Sequence, residues 1–109
     1  VMDALQARSR LMRDWRAFLS EYPVMLCPVS GELPFRDLQD VDSLTGFEAI
    51  IAAQALQIGL PFMGLPGLTV TTGSADGLPM GVQLVANQFR EDILLEAGAL
   101  IAETIPALP

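Results

Sequence analysis

Two segments typical of β-strands, separated by an Asp-Gly dipeptide, constrain the fold of this chain more than any other feature of its sequence. Residues 68–72 (LTVTT) are rich in β-branched side chains, and apolar residues occupy every second position along 80–86. The linker 73–79 contains Asp76-Gly77, a dipeptide typical of hairpin turns. The sequence therefore predicts two antiparallel neighbouring strands, 68–72 and 80–86, joined by a loop longer than a minimal turn.

The first part of the chain predicts a helix over 1–22 and a buried strand over 24–29. Pro23 ends the helix, because the residue before a proline is disfavoured in the helical conformation. Residues 24–29 (VMLCPV) form a short, continuously apolar run, which is typical of a strand buried on both faces. One face of the helix is apolar, with Leu5, Met12, Trp15, Leu19 and Tyr22.

A second helix is predicted over 45–59, after an irregular acidic surface loop at 30–44. Thr45 and Glu48 have the spacing of a capping box, and Gly59 followed by Pro61 is a stop signal. Nearly every residue between these signals is apolar, so we expect the helix to be buried almost all round.

A last helix is predicted over 90–104, ended by Pro106. Glu91 and Asp92 lie in its first turn, where the helix dipole favours negative charge. We interpret them as helix N-terminal charges and not as a general acid and base, which would need a shared substrate cleft.

The order of these elements predicts an α/β fold in which helices are layered on a mixed β-sheet. With 109 residues, the chain is long enough for one domain, 1–109, with a single core. It is 51% hydrophobic with a mean hydropathy of +0.43, which is high for a domain of this size. We therefore expect part of its apolar surface to lie against something outside the chain, as in a piece of a larger sheet.

Missing residue types exclude several kinds of catalysis. The chain has no histidine, and its six basic residues are all arginines, so it has no lysine. A Ser-His-Asp triad, a Cys-His pair, a Schiff-base lysine and a Ser-Lys dyad therefore cannot form within it. Cys27 lies in an apolar strand without a neighbouring base. Burial raises the pKa of a thiol and lowers its reactivity, so we assign Cys27 a structural role.

No cofactor or metal is expected. Asp37, Asp40 and Asp42 lack the spacing of an EF-hand loop, and the glycines match neither a dinucleotide-binding nor a phosphate-binding motif. The basic residues of the first helix have two interpretations, anion binding or, the favoured one, a solvated or interdomain ion-pairing face. They are Arg8, Arg10, Arg13 and Arg16.

Charge and hydropathy also bear on partners and location. A net charge of −7 argues against binding to nucleic acid. No apolar stretch reaches the roughly 20 residues that span a bilayer, and the N-terminal residues do not resemble a signal peptide. Because a single cysteine cannot form an internal disulfide, we expect a cytoplasmic location.

The second half of the chain resembles the closing segment of amidase-signature enzymes. The residues that carry the resemblance are GLPGLTVTTG at 64–73, DGLPMGVQLV at 76–85, and the apolar helix that follows. Their order and spacing match the family over 60–104, and the upstream helix, strand and acidic loop fit the preceding part. The resemblance implies a partial amidase-signature fold, with this chain as the C-terminal fragment of a larger domain.

In that family, carboxamides are hydrolysed by a serine nucleophile, a second serine and a lysine base, all upstream of the matching segment. The resemblance thus implies no catalytic residue in this chain, and inactivity of the chain alone. It implies one wall of the acyl-binding pocket around the Gly-Leu-Pro turn, for which we choose Phe62, Met63 and Gly64; core packing is the alternative for the two apolar side chains. The implied partners are the N-terminal part of the same amidase and a small amide substrate, with a homodimer as an option.

Three functions are compatible with these residues. The first is the C-terminal part of an amidohydrolase that cleaves carboxamide C–N bonds. The second, of the same family, is an amidotransferase subunit that feeds ammonia to a partner. The third is a stand-alone, non-catalytic α/β module for binding or dimerisation.

Overall fold

The computed structural model describes residues 1–105, in which five helices and three strands follow one another. In chain order they are α1 (Met2–Glu21), β1 (Val24–Pro28), α2 (Gln39–Asp42), α3 (Leu44–Ala53), α4 (Ala55–Phe62), β2 (Gly67–Ala75), β3 (Leu78–Ala86) and α5 (Glu91–Thr104).

The first and last helices lie where the sequence predicts them, and the middle one is divided. The helix predicted over 45–59 forms two, α3 and α4, which meet at Gln54. The cap of α3 is Ser43 and not Thr45, because the Ser43 hydroxyl accepts the Gly46 N–H at 3.0 Å. Nor does the helix end before Pro61 as predicted, since α4 includes this residue and continues to Phe62. The expected end of α5 at Pro106 lies outside the described residues.

The hairpin is tighter than the sequence predicts. Strand β2 continues to Ala75 and β3 begins at Leu78, so that Asp76 and Gly77 alone form the turn. Their φ angles are 53° and 77°, the positive values that a two-residue turn matching the twist of both strands requires. The register of the pairing shifts between Thr71 and Gly73, so that β2 has one more residue than β3 at this point.

The strand order is β1-β3-β2, and both pairings are antiparallel. The sequence predicted a mixed sheet, whereas the strands that the structure describes pair only antiparallel. The α/β fold class is otherwise as predicted. Strands β1 and β2 run in the same direction, as expected of strands joined through helices, but β3 lies between them. Strand β3, which forms the hairpin with β2, lies beside β1 in the position that a parallel β2 would have occupied.

Two apolar clusters lie on opposite faces of this sheet. On one face, Leu84 and Ala86 of β3 pack with Leu94 of α5. On the other, Val85 packs with Leu60 of α4 and with Met63, the residue after α4, and Met12 and Trp15 of α1 add to this cluster. The alternation along β3 therefore separates an α5 face from an α4 face.

The described part of the chain is thin and leaves much apolar surface exposed. Its smallest principal extent is 15 Å, and its radius of gyration is 16.2 Å, against about 13 Å for a compact domain of similar length. Helices α3 and α4 are not buried all round as predicted: Phe47 is 44% and Ile58 51% exposed. The surface is that of a layer open to further packing.

Candidate functional site

A cleft of about 470 Å³ opens on the α4 face of the sheet. Thr69 and Thr71 of β2 form its floor, because they alternate with Leu68 and Val70, which pack toward α5 on the opposite face. Gly81, paired with Thr71, extends this floor into β3.

The wall of the cleft is mainly apolar, with a few polar groups converging on it. Such a combination is typical of sites for small organic molecules. The apolar part comes from the end of β1, the loop that follows and the start of β3: Pro28, Val29, Pro34, Phe35, Pro79 and Met80. The polar part adds Ser30, Glu32 and Gln54 to the two threonines.

Gln54 lines the cleft because helices α3 and α4 meet there. Its backbone N–H still bonds to the Ile50 carbonyl at 2.9 Å, and its carbonyl accepts the Gln57 N–H at 2.9 Å. The residue therefore closes one helix and opens the next. Its side-chain amide, half-buried, can both donate to and accept from a ligand amide.

A hydrogen-bonded pair of glutamine side chains, Gln83 buried and Gln57 half-buried, holds the wall of the cleft from behind. Gln83 is only 7% exposed, and its Oε1 accepts Gln57 Nε2 at 2.6 Å. The same Gln57 nitrogen donates to the Val29 carbonyl at 2.8 Å. Since Val29 lines the cleft, this network ties the end of β1 to α4 and β3.

The neighbours of this network fit it closely. A Cβ at Gly67 would lie 2.9 Å from Gln83 Nε2, so any other residue at this position would displace the end of the Gln83 side chain. The Cys27 thiol donates to Gln83 Oε1 at 3.9 Å, and burial raises its pKa. A protonated, hydrogen-bonded thiol without a neighbouring base fits the structural role predicted for Cys27.

Phe62, Met63 and Gly64 lie away from the cleft, at the end of α4. Phe62 is 52% exposed, whereas Met63 is only 7% exposed and packs against Leu60 and Val85. Gly64 has a φ of +73°, and its N–H bonds to the Pro61 carbonyl at 2.9 Å. None of the three belongs to the described wall of the cleft.

Arg8 of α1 binds this corner. Its Nε donates to the Phe62 carbonyl at 2.8 Å, and its guanidinium lies 5.4 Å from the centre of the Phe62 ring. One of the four arginines of α1 thus connects helices of the chain, a use that neither interpretation of the basic cluster included.

Of the two acidic residues at the start of α5, Asp92 pairs with the neighbouring Arg90. Arg90 donates to Asp92 through Nε at 3.0 Å and Nη2 at 3.3 Å. This contact lowers the pKa of the Asp92 carboxyl and raises that of the Arg90 guanidinium. Glu91 and Asp92 lie in the first turn of α5, the position that the sequence predicts for them.

Sequence reasoning missed the residues of the cleft. One signal was present: Gln54 and Gln57 are two of the few polar residues in the apolar run that precedes the hairpin. Polar residues inside such a run need partners, and here they face the cleft and Gln83. Thr69 and Thr71 gave no signal beyond their β-propensity.

Residues 1–105 carry neither a membrane-spanning helix nor a cluster of metal ligands. No helix in that range is long and apolar enough to cross a membrane. Nor does that range contain three or more His, Cys, Asp or Glu side chains grouped to hold a metal ion.

The sequence matches the family model described as Amidase over residues 1–95. It is 32% identical over 102 residues to a glutamyl-tRNA(Gln) amidotransferase subunit of Archaeoglobus fulgidus, an alignment that covers 94% of this chain and 21% of that protein. It is 37% identical over 101 residues to an indoleacetamide hydrolase of Bradyrhizobium japonicum, covering 92% of this chain and 22% of the relative. The chain thus spans about a fifth of the length of these relatives.

The fold is similar to that of a solved structure. The crystal structure of a glutamyl-tRNA(Gln) amidotransferase subunit from Thermotoga maritima superposes with a TM-score of 0.81. The match has 22% sequence identity and covers 95% of this chain and 22% of the other. The α/β arrangement described above is therefore part of a larger amidase-type fold.

Proposed function

The chain belongs to the amidase family, and from that premise we propose that it is the C-terminal structural part of an amidohydrolase that cleaves carboxamide C–N bonds. The observation that carries the proposal is the family match over residues 1–95 of a chain without lysine or histidine. The lysine base implied by the resemblance must then come from elsewhere. The 109-residue chain is inactive by itself.

The partner in this proposal is the N-terminal part of the same amidase. Among the described residues, 20 large apolar side chains are exposed, and several lie together on α3 and α4. Such a surface is costly in water and is expected where another layer packs. A single cysteine and the absence of a disulfide framework support a cytoplasmic enzyme.

The cleft is the substrate-facing part of this fragment in the proposal. Its apolar wall suits the acyl group of a small amide, and the Thr69 and Thr71 hydroxyls and the Gln54 amide supply hydrogen bonds for a carboxamide. Phe62, Met63 and Gly64 form the second proposed wall, supported by the resemblance and by the exposure of Phe62.

The first test is made on the product of the native gene. Its intact mass is measured, and ammonia release from simple aliphatic and aromatic amides is assayed. We expect a mass several-fold above 11.7 kDa with activity, and no activity from the 109-residue chain purified alone. An 11.7 kDa product that is inactive on all amides would contradict the proposal and favour a non-catalytic module.

A pair of variants in the active protein separates the two proposed walls. Phe35→Ala removes an aromatic ring from the cleft, whereas Phe62→Ala removes one from the end of α4. If the cleft binds the acyl group, Phe35→Ala raises KM for aromatic amides more than Phe62→Ala does, with kcat less affected. The reverse order would assign the pocket to Phe62, Met63 and Gly64.

A specific observation favours a second function within the family, that of an amidotransferase component. The Archaeoglobus fulgidus relative belongs to such an enzyme, and the chain aligns with it over 94% of its length. For this function, ammonia release from glutamine would depend on a partner protein. The assay is therefore repeated with glutamine, with and without the product of the neighbouring gene.

A further inference from the structure

A second cavity, of about 570 Å³, lies between the end of α1 and the β3–α5 connection. Arg16 and Arg90 both line it, and no carboxylate belongs to its described wall. Arg90 is paired with Asp92 at 3.0 Å, so the net positive charge of the cavity comes from Arg16, on a chain whose net charge is −7. Such a cavity attracts anions.

Hydrogen bonds hold the two sides of this cavity together. Asn87 Nδ2 donates to the Arg16 carbonyl at 3.2 Å, which ties the β3–α5 connection to α1. The Arg90 N–H bonds to the Asn87 carbonyl at 3.0 Å and closes a turn. The backbones that carry the two arginines are thus fixed relative to each other before any ligand binds.

The two guanidinium groups retain donors for a ligand. Arg90 uses Nε and Nη2 for Asp92, which leaves Nη1 for another acceptor. Arg16 makes no ion pair with any residue in the described range 1–105. Ser20 and Gln88 add polar side chains to the same wall.

An apolar edge lies beside the cationic part. Phe89 is 80% exposed and has a φ of +65°, a conformation that is rare for a bulky side chain. Strain of this kind is concentrated at functional sites, where the surrounding structure maintains it. Ile93 of α5 continues the apolar wall next to Phe89.

We propose that this cavity binds a small organic anion, a carboxylate or phosphate that carries an apolar, ring-sized group. Arg16 and Arg90 bind the anionic group, and Phe89 contacts the apolar group. The site is separate from the cleft on the α4 face, and the proposal does not depend on the amidase reaction.

The test is a titration of the intact protein, followed by NMR or calorimetry at constant ionic strength. The probes are inorganic phosphate, phenyl phosphate and phenylacetate. We expect Arg16→Gln and Arg90→Gln each to raise the dissociation constants about tenfold, the effect of losing a charge-assisted hydrogen bond. We expect Phe89→Ala to weaken only the two ring-bearing probes, whose relative affinities show whether carboxylate or phosphate is preferred.

Arg36→Gln is the matched control, because it removes the same charge outside the cavity. Binding that falls equally in this variant would reflect net charge and overturn the proposal, as would the absence of binding by all three probes. Arg16→Lys keeps the charge without the guanidinium fork, and we expect a smaller loss than for Arg16→Gln. No loss in either of these folded variants overturns the proposal.

Discussion

Replacing Gly81 by alanine tests how closely β2 and β3 approach at the floor of the cleft. An alanine Cβ would lie 2.6 Å from the Val70 carbonyl oxygen, which is backbone and cannot rotate away. Ordinary contact begins at 3.4 Å, so one strand must move by about 0.8 Å. Overpacking of this kind costs about 2 kcal/mol, within the usual range of about 1–3 kcal/mol.

Gly73→Ala is the matched control in the same hairpin. No atom lies within 4 Å of a Cβ at Gly73, and its φ is not positive. We therefore expect its free energy of unfolding to change by less than about 0.5 kcal/mol. The pair differs only in the space available to one methyl group.

The assay is urea unfolding followed by the fluorescence of Trp15, the single tryptophan of the chain. With a slope of about 2 kcal/mol per molar urea, Gly81→Ala should lower the midpoint by about 1 M. Protein concentrations are matched, since association shifts apparent stability. Equal midpoints for Gly81→Ala and Gly73→Ala would refute the reasoning.

Three further predictions concern the buried amides, the start of α5 and the apolar surface. Gln57→Leu and Gln83→Leu, combined in a double-mutant cycle, should show a coupling free energy of about 1 kcal/mol, and additive effects would contradict the 2.6 Å hydrogen bond. Because its pKa is lowered in the folded chain, Asp92 adds stability above the ordinary carboxyl pKa of about 3.9, and this is lost as pH falls through the folded pKa. Asp92→Asn should therefore be less stable than the parent at pH 7 and equal to it in acid, as acid titrations of both proteins by circular dichroism would show. The isolated chain should self-associate and bind a hydrophobic dye; light scattering from a monomer without dye binding would contradict the exposure of α3 and α4.

Local signals accounted for the hairpin and its neighbours. Asp76-Gly77 predicted the turn because few dipeptides tolerate two positive φ angles, and the structure has both. Its tightness was missed because Pro79, so close to the turn, does not suggest strand, yet β3 includes it.

The division between α3 and α4 was not predictable from helix signals alone. Thr45 and Glu48 fit a capping box, but Ser43 caps the helix because its hydroxyl reaches the Gly46 N–H. The break at Gln54 has no glycine, proline or cap signal in the sequence around it, since 50–58 read IIAAQALQI. The cap is decided between two residues with similar N-cap preference, Ser43 and Thr45, and only the three-dimensional position of the hydroxyl selects one of them.

By itself the sequence determined the element types, the hairpin and the family, because turn chemistry, periodicity and motif spacing are local properties of the chain. It also determined that this chain has no lysine or histidine for catalysis. The tertiary structure alone decided that β3 lies between β1 and β2, and that Gln57 and Gln83 meet behind the cleft. The β1–β3 pairing and the Gln57–Gln83 hydrogen bond join residues 26 or more positions apart, and their partners are selected by packing in three dimensions, which no local pattern encodes.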